Sequence, residues 1–264
     1  MNDVLLAFIM ALFAGLSTGI GSAAVLVSKK PTPRFMASTL GFSAGVMLYI
    51  SLTEILSKAT TALTSALGDK NGTLIVILSF FGGIILIALI GALVPSFEGQ
   101  NAKKTISNMK SAPRSKLWRT GLLSAFAIAL HNFPEGMATF VSALRDPHVA
   151  LPVVVAVAIH NIPEGIAVAA PVLSATGSRK TAFTVSFLSG LTEPLGALLC
   201  WLLLMPFMTD TVYGIIFAAA AGIMVYICID EILPTAEENR SHPYCVTGFI
   251  LGMALMAVSL YLFI

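Results

Sequence analysis

Apolar stretches of about twenty residues recur along the chain, at roughly 4–27, 36–57, 74–95, 118–142, 150–173, 181–207, 212–234 and 244–263. A helix of about twenty such residues crosses the hydrocarbon core of a bilayer. Inside lipid every backbone polar group must be satisfied within the protein, which leaves helices or closed barrels. The expected fold is therefore all-α and polytopic, with eight transmembrane helices forming a single transmembrane domain over residues 1–264. The composition agrees: 11% of the residues are charged and 57% hydrophobic, whereas soluble domains carry about 25% charged residues.

Charge placement sets the expected orientation. Lys29, Lys30, Arg34, Lys103, Lys104, Lys110, Arg114, Lys116, Arg119, Arg179, Lys180 and Arg240 fall in one alternate set of loops, against Lys58, Lys70 and Arg145 in the other. Basic residues favour the cytoplasmic side, so both termini are expected outside the cytoplasm and the basic loop 96–117 within it. The first stretch opens Met1-Asn2-Asp3 without a basic lead and is read as a retained helix rather than a cleaved signal. Topology explains the net charge of +2; membrane lipid is the expected neighbour, and no nucleic-acid partner is called for. Cys200, Cys228 and Cys245 have no CxxC spacing, which argues against a disulfide framework or thiolate metal site.

An internal repeat is written into the second and seventh stretches. Residues 44–56 and 221–233 are identical at eight of thirteen positions, at a constant offset of 177. Under the charge-derived topology the two segments run in opposite directions, which implies an inverted repeat with substrate sites near the bilayer midplane. The expected arrangement is 3+2+3, with the fourth and fifth helices as the central pair.

Those two helices carry twin motifs: His131-Asn132-Phe133-Pro134-Glu135-Gly136 and, 29 residues on, His160-Asn161-Ile162-Pro163-Glu164-Gly165. Residues four apart share a helix face, so each helix presents an imidazole and a carboxylate one turn apart, widened by an amide. Proline removes a backbone donor and is expected to kink each helix, and the glycine after each acid permits close helix approach. The sixth helix adds Glu193 within Gly190-Leu191-Thr192-Glu193-Pro194-Leu195-Gly196. Ionisable groups at membrane depth cost roughly 2.5–3.5 kcal/mol each on insertion scales and mark functional sites. A divalent cation suits imidazole and carboxylate ligands, with zinc, iron, manganese and cobalt compatible by ligand type. The bland alternative is a buried network of protonated glutamates and hydrogen-bonding His and Asn; the duplication of the motif weighs against it.

Three functional classes compete. A divalent-metal transporter uses all of these groups. An intramembrane metalloenzyme would be expected to show HExxH-like spacing, which is not written here. A proton- or sodium-linked solute transporter accounts for the acids but leaves the duplicated His-Asn pairs without a role.

The paired HN-x-PEG motifs, the Glu-Pro of the next helix and the eight stretches together resemble the ZIP family of zinc/iron-type divalent metal transporters, in particular its bacterial ZupT-type branch. The resemblance spans essentially the whole chain. It implies a bacterial inner-membrane transporter, not an enzyme, with no catalytic cofactor. It further implies a binuclear centre in which His131, Glu135, His160 and Glu164 hold one metal, while Asn132, Asn161 and Glu193 join the shared glutamates at the other. Import toward the cytoplasm by elevator-like or rocking motion is implied, with Zn²⁺ and Fe²⁺ as cargo, Mn²⁺, Co²⁺ and Cd²⁺ as further candidates, and a homodimer as a common assembly. Relatives reading HEIPHE on the fifth helix have a more charged motif than His160-Asn161-Ile162-Pro163-Glu164-Gly165, so a metal range wider than zinc is expected. The loop 96–117 has no histidine, which argues against a zinc-sensing loop. Glu54, near the outer end of its helix, and Asp230 with Glu231, near the inner end of theirs, are expected to guide metal at the two mouths. His148 and His242 read as solvated loop residues, and Met47, Met224, Tyr49 and Tyr226 as packing.

Overall fold

The computed structural model describes residues 3–27, 32–93, 114–145, 147–237 and 242–262. These form eight helical rods: α1 (Asp3–Val27), α2 (Pro33–Leu67), α3 (Asp69–Leu93), α4 (Arg114–Arg145), α5 (Pro147–Thr176), α6 (Arg179–Phe207), α7 (Asp210–Glu237) and α8 (His242–Leu262). Seven are long and apolar enough to cross a membrane. The remaining rod, α4, is the longest of the singly continuous helices at 32 residues, about 48 Å at 1.5 Å per residue, and carries the first twin motif. The protein is a multi-pass, all-α membrane protein. The expected basic loop 96–117 lies outside the described residues as far as residue 113.

The exterior is strongly apolar as well as the core. Leu5, Ile9, Phe13, Leu16 and Ile20 form an exposed apolar stripe on α1, and Leu74, Ile77, Leu78, Phe81 and Ile85 do so on α3. Within the largely apolar interior, Ser17, Thr18, Ser22, Asn132, Glu135, His160, Asn161, Glu164 and Glu193 are also buried. Lipid accepts the apolar exterior, so it is these buried polar residues that mark out the chemistry.

Helix ends depart from the sequence expectation at one place that matters. The second span was expected to end near residue 57, followed by a loop; α2 continues to Leu67, and Gly68 alone, with φ of 79°, separates it from α3. The continuation is amphipathic, and its hydroxyls bond back to the helix, Thr60 to Leu56 O and Thr64 to Thr60 O, each at 2.8 Å. Gly68 closes it by donating to Thr64 O at 2.9 Å in the left-handed cap that glycine adopts without penalty. Lys58 therefore stands within a helix, not in a loop. Pro134 and Pro163 do not interrupt α4 and α5, which are helical on both sides of them.

The rods pair by a single rule. The main packing partners are α2 with α7 and α8, α3 with α7, α1 with α5, α4 with α6, and α4 with α5. Exchanging α1–α3 with α6–α8, and α4 with α5, maps this set onto itself. Glycines carry the relation to atomic detail. A Cβ on Gly45 would strike Phe249 O, and one on Gly222, 177 residues later, would strike Phe80 O. Likewise Gly83 abuts Ala219 O and Gly252 abuts Phe42 O. Backbone touches backbone at these points because no side chain intervenes. Even the local windings match: the π-helical turns Ser51–Ile55 and Cys228–Ile232 are separated by the same offset of 177. Such turns are uncommon and gather at functional sites.

Candidate metal centre

Five backbone approaches hold the centre together. Gly136 lies against Glu193 O and Gly165 against Thr18 O; Gly196 lies against Phe133 O and Gly21 against Ile162 O; Gly15 meets Gly190 O. With no Cβ in the way, α1, α4, α5 and α6 converge at the level of the twin motifs. A one-residue turn at Leu191 divides α6 into Arg179–Gly190 and Thr192–Leu199, two residues ahead of Glu193. Pro194 has no N–H to give the Gly190 carbonyl, so the break and the acid are local consequences of one short sequence.

The structure brings together Asn132, Glu135, His160, Asn161, Glu164 and Glu193, none more than 1% exposed. His160 Nε2 lies 3.0 Å from Glu135 Oε1, which joins the two motifs across the α4–α5 interface. Its other nitrogen, Nδ1, lies 3.2 Å from Ala156 O, one turn back on α5. That contact favours a proton on Nδ1 and leaves Nε2 as the ligand atom. Asn161 Nδ2 donates to Glu193 Oε2 at 2.8 Å and to Ala14 O at 3.0 Å, so α5 is tied to both α6 and α1. Glu193 Oε1 and Asn161 Oδ1 have no hydrogen-bond partner among the described residues. Two buried oxygens without donors are what a cation-binding set provides.

Asn132 lies between two sets of acceptors. On one side is Ser189 O at 3.5 Å; on the other are Glu164 Oε2 and Ile128 O, each at 3.3 Å. With its NH₂ toward the second pair it donates to both. Turned about, it donates to Ser189 and sets its carbonyl oxygen against the Glu164 carboxylate, an all-oxygen pair that only a cation or proton can bridge. Its bond to Ser189 is the repeat counterpart of the bond from Asn161 to Ala14, at offsets of 29 and 175.

His131 occupies its expected place on α4, one turn before Glu135, and its side chain lies outside the described residues. Among the described residues no three His, Cys, Asp or Glu side chains gather closely enough to hold a metal ion by themselves. A complete ligand set would draw on the two amides and on His131 as well. At the mouths, Glu54 lies on the first π-turn of α2, 2.8 Å from Lys58 Nζ. Asp230 is exposed on the second, and the side chain of Glu231 lies outside the described residues, as does that of His148. His242 Nδ1 lies 2.9 Å from Glu237 Oε1 on the surface, so it is paired rather than merely solvated. Cys200, Cys228 and Cys245 are free and buried. Met47 and Met224 are core residues at equivalent repeat positions.

One member of the site escaped the sequence reading. Thr18 is fully buried with no hydrogen-bond partner for Oγ1 among the described residues. It faces Gly165 as Glu193 faces Gly136, which makes it the counterpart of Glu193 at an offset of 175. Along α1 only Ala7, Phe8, Gly15, Leu16 and Gly21 recur at that offset, as Ala182, Phe183, Gly190, Leu191 and Gly196, too few identities to reveal the relation from sequence. The centre is thus pseudo-symmetric in backbone and lopsided in charge: a carboxylate faces Asn161 from α6, and a hydroxyl stands at the equivalent place on α1.

The chain is similar in sequence to known proteins over essentially its whole length. The profile of the ZIP zinc transporter family matches residues 95–260. The chain is 57% identical over 258 residues to the zinc transporter ZupT of Streptococcus mutans, covering 98% of this chain and 97% of the relative. It is 54% identical over 265 residues to the zinc transporter ZupT of Corynebacterium aurimucosum, covering 100% and 99%. To the zinc transporter ZupT of Chlorobium chlorochromatii it is 50% identical over 265 residues, covering 99% of each.

Proposed function

Because the chain belongs to the ZIP family of zinc transporters, we propose that it carries divalent metal ions, zinc foremost, across the bacterial inner membrane into the cytoplasm. The observation that carries this reading is the buried set of His160, Asn132, Asn161, Glu135, Glu164 and Glu193 at the convergence of four helices. Among the described residues, no buried Lys or Arg neutralises its three carboxylates. The cargo supplies the missing charge. His131, Glu135, His160 and Glu164 hold one metal; Asn132, Asn161 and Glu193, with the shared glutamates, hold a second. Two divalent ions against three carboxylates take the centre from a net charge of −3 when empty to +1 when occupied, which lowers the cost of keeping charge at membrane depth.

The whole chain acts as one transmembrane domain with both termini outside the cytoplasm, as the basic loops favour. The inverted repeat supplies two related arrangements of the same backbone, one open to each side, about a fixed mid-membrane site. Imidazole, amide and carboxylate ligands without thiolate favour borderline first-row ions. Fe²⁺, Mn²⁺ and Co²⁺ are therefore carried alongside Zn²⁺, as is Cd²⁺, the larger second-row congener of zinc, while Mg²⁺ and Ca²⁺, which demand all-oxygen shells, are not.

The test is radiolabelled zinc flux into proteoliposomes of purified protein, with each other metal added in tenfold excess. Fe²⁺, Mn²⁺, Co²⁺ and Cd²⁺ are expected to cut zinc uptake by more than half, and Mg²⁺ and Ca²⁺ to leave it unchanged. Flux no greater than in empty liposomes would remove the transport reading, and competition by none of the other transition metals would confine the cargo to zinc.

A further inference from the structure

A second polar cluster lies away from the metal centre, where the far ends of α2 and α4 meet the start of α7. It lines an open cavity of about 420 Å³, bounded by Ser57, Lys58, Thr61, Ser142, Arg145 and Asp210 among others. Lys58 Nζ lies 2.8 Å from Glu54 Oε1 and donates to Ser142 Oγ at 3.1 Å, linking α2 to α4. Arg145 bonds Asp210 at 2.7 Å and stacks 3.8 Å above the centre of the Tyr213 ring, linking α4 to α7. Under the proposed orientation this is the outer mouth.

The repeat shows which of these groups the fold requires and which were added. At the offset of 177 that matches α2 to α7, Glu54 corresponds to Glu231, but Lys58 corresponds to Thr235. At the offset of 29 that matches the twin-motif helices, Arg145 corresponds to Ser174. Both mouths keep a carboxylate on the π-turn, and the outer one adds basic side chains at positions where the repeat has Thr235 and Ser174. Below the cavity the polar residues continue: Ser142, Thr139 and Glu135 lie seven, four and no residues above the first motif's acid, on one face of α4 and all buried. Seven residues are about 10 Å of helix, so the cavity stands directly over the metal centre.

We infer that the outer mouth is a capture site for the incoming divalent cation, with Glu54, held beside the cavity by the lining residue Lys58, as its carboxylate and Lys58 as a tethered cation that the metal must displace. A bare carboxylate at the mouth of a low-dielectric path would hold a divalent ion tightly and slow its passage. Exchange against the ammonium makes capture shallow, because each metal bound costs one ion pair. The long, mobile stem of lysine suits a partner that must swing aside. The same displacement releases the bond to Ser142 and so loosens α2 from α4 at the mouth, which couples capture to opening.

This inference rests on the transport reading, and its test separates the two. Initial rates of zinc uptake are measured in proteoliposomes for wild type, Lys58→Met, Lys58→Arg, Glu54→Gln and the Glu54→Gln, Lys58→Met double variant, with metal added on the outer face. Lys58→Met is expected to lower KM at least threefold with little change in maximal rate, and Lys58→Arg to restore the wild-type KM. Glu54→Gln should raise KM, and the double variant should match Glu54→Gln alone. A wild-type KM in Lys58→Met, or a lowered KM that persists without Glu54, overturns the capture site. A Glu135→Gln, Glu164→Gln control in the same vesicles keeps the readings apart: if it is inactive while Lys58→Met behaves as wild type, only the capture site falls.

Discussion

Glu135→Gln combined with Glu164→Gln is expected to reduce zinc flux at least about 100-fold, the upper end of what loss of even outer-shell partners costs metal sites, while leaving the thermal midpoint unchanged or higher. Both carboxyls are 1% exposed and stand within a helix bundle whose exterior is apolar. Holding such groups there costs the protein several kcal/mol unless a cation or proton is present. Glutamine keeps their shape and removes the charge, so the cargo loses two anionic ligands while the metal-free fold loses a burden. Function and stability thus move in opposite directions, as they do where a site is kept at the expense of the fold. Flux assays and thermal unfolding in detergent check the two halves. Flux within threefold of wild type would mean that the metal does not depend on these carboxylates; a collapse in midpoint would mean that they are structural.

The second large effect concerns a residue with no chemistry of its own. Gly136→Ala is expected to destabilise the protein by about 3 kcal/mol, the upper end of overpacking costs, and to abolish transport. Its Cβ would overlap the backbone carbonyl of Glu193, and a backbone atom cannot turn away as a side chain can. To make room, α4 and α6 must part at the level where Asn161 binds Glu193 at 2.8 Å. Gly82→Ala is the matched control: a Cβ there has nothing within 4 Å, and alanine favours a helix over glycine by about 0.8–1.0 kcal/mol. Thermal midpoints and flux of the two variants, measured together, separate a general intolerance of larger residues from the specific approach of α4 to α6. Equal behaviour of the two would contradict the close-packed centre.

The apolar stretches and twin motifs were legible because lipid enforces both. A span must be apolar for about twenty residues, so charged or polar residues within it stand out, and the duplicated His131–Gly136 and His160–Gly165 segments did so. The relation of α2 to α7 could also be read, since close packing at Gly45 and Gly222 and the matched π-turns go with eight identities in the thirteen positions between residues 44 and 56. Its extension to α1 and α6 could not. There the backbone approach needs only the glycines, and the intervening positions have diverged to the point that Thr18 stands opposite Glu193. The Lys58 clasp was hidden for another reason. Threonine-rich sequence beyond residue 57 reads as a loop, yet hydroxyls bonded back to their own helix and a single Gly68 cap carry α2 onward to Leu67. Helix continuation there is decided by local hydrogen bonding and packing against α7, neither of which hydropathy records.

X-ray absorption at the zinc edge, on wild-type protein loaded with zinc, reads the ligands of the cargo itself. The centre described here predicts a first shell of nitrogen and oxygen at about 2.0–2.2 Å, with the outer-shell scattering of imidazole, and loss of the imidazole signal in His131→Ala, His160→Ala protein. A zinc–sulfur distance of about 2.3 Å, or an all-oxygen shell unchanged by removal of both histidines, would contradict it.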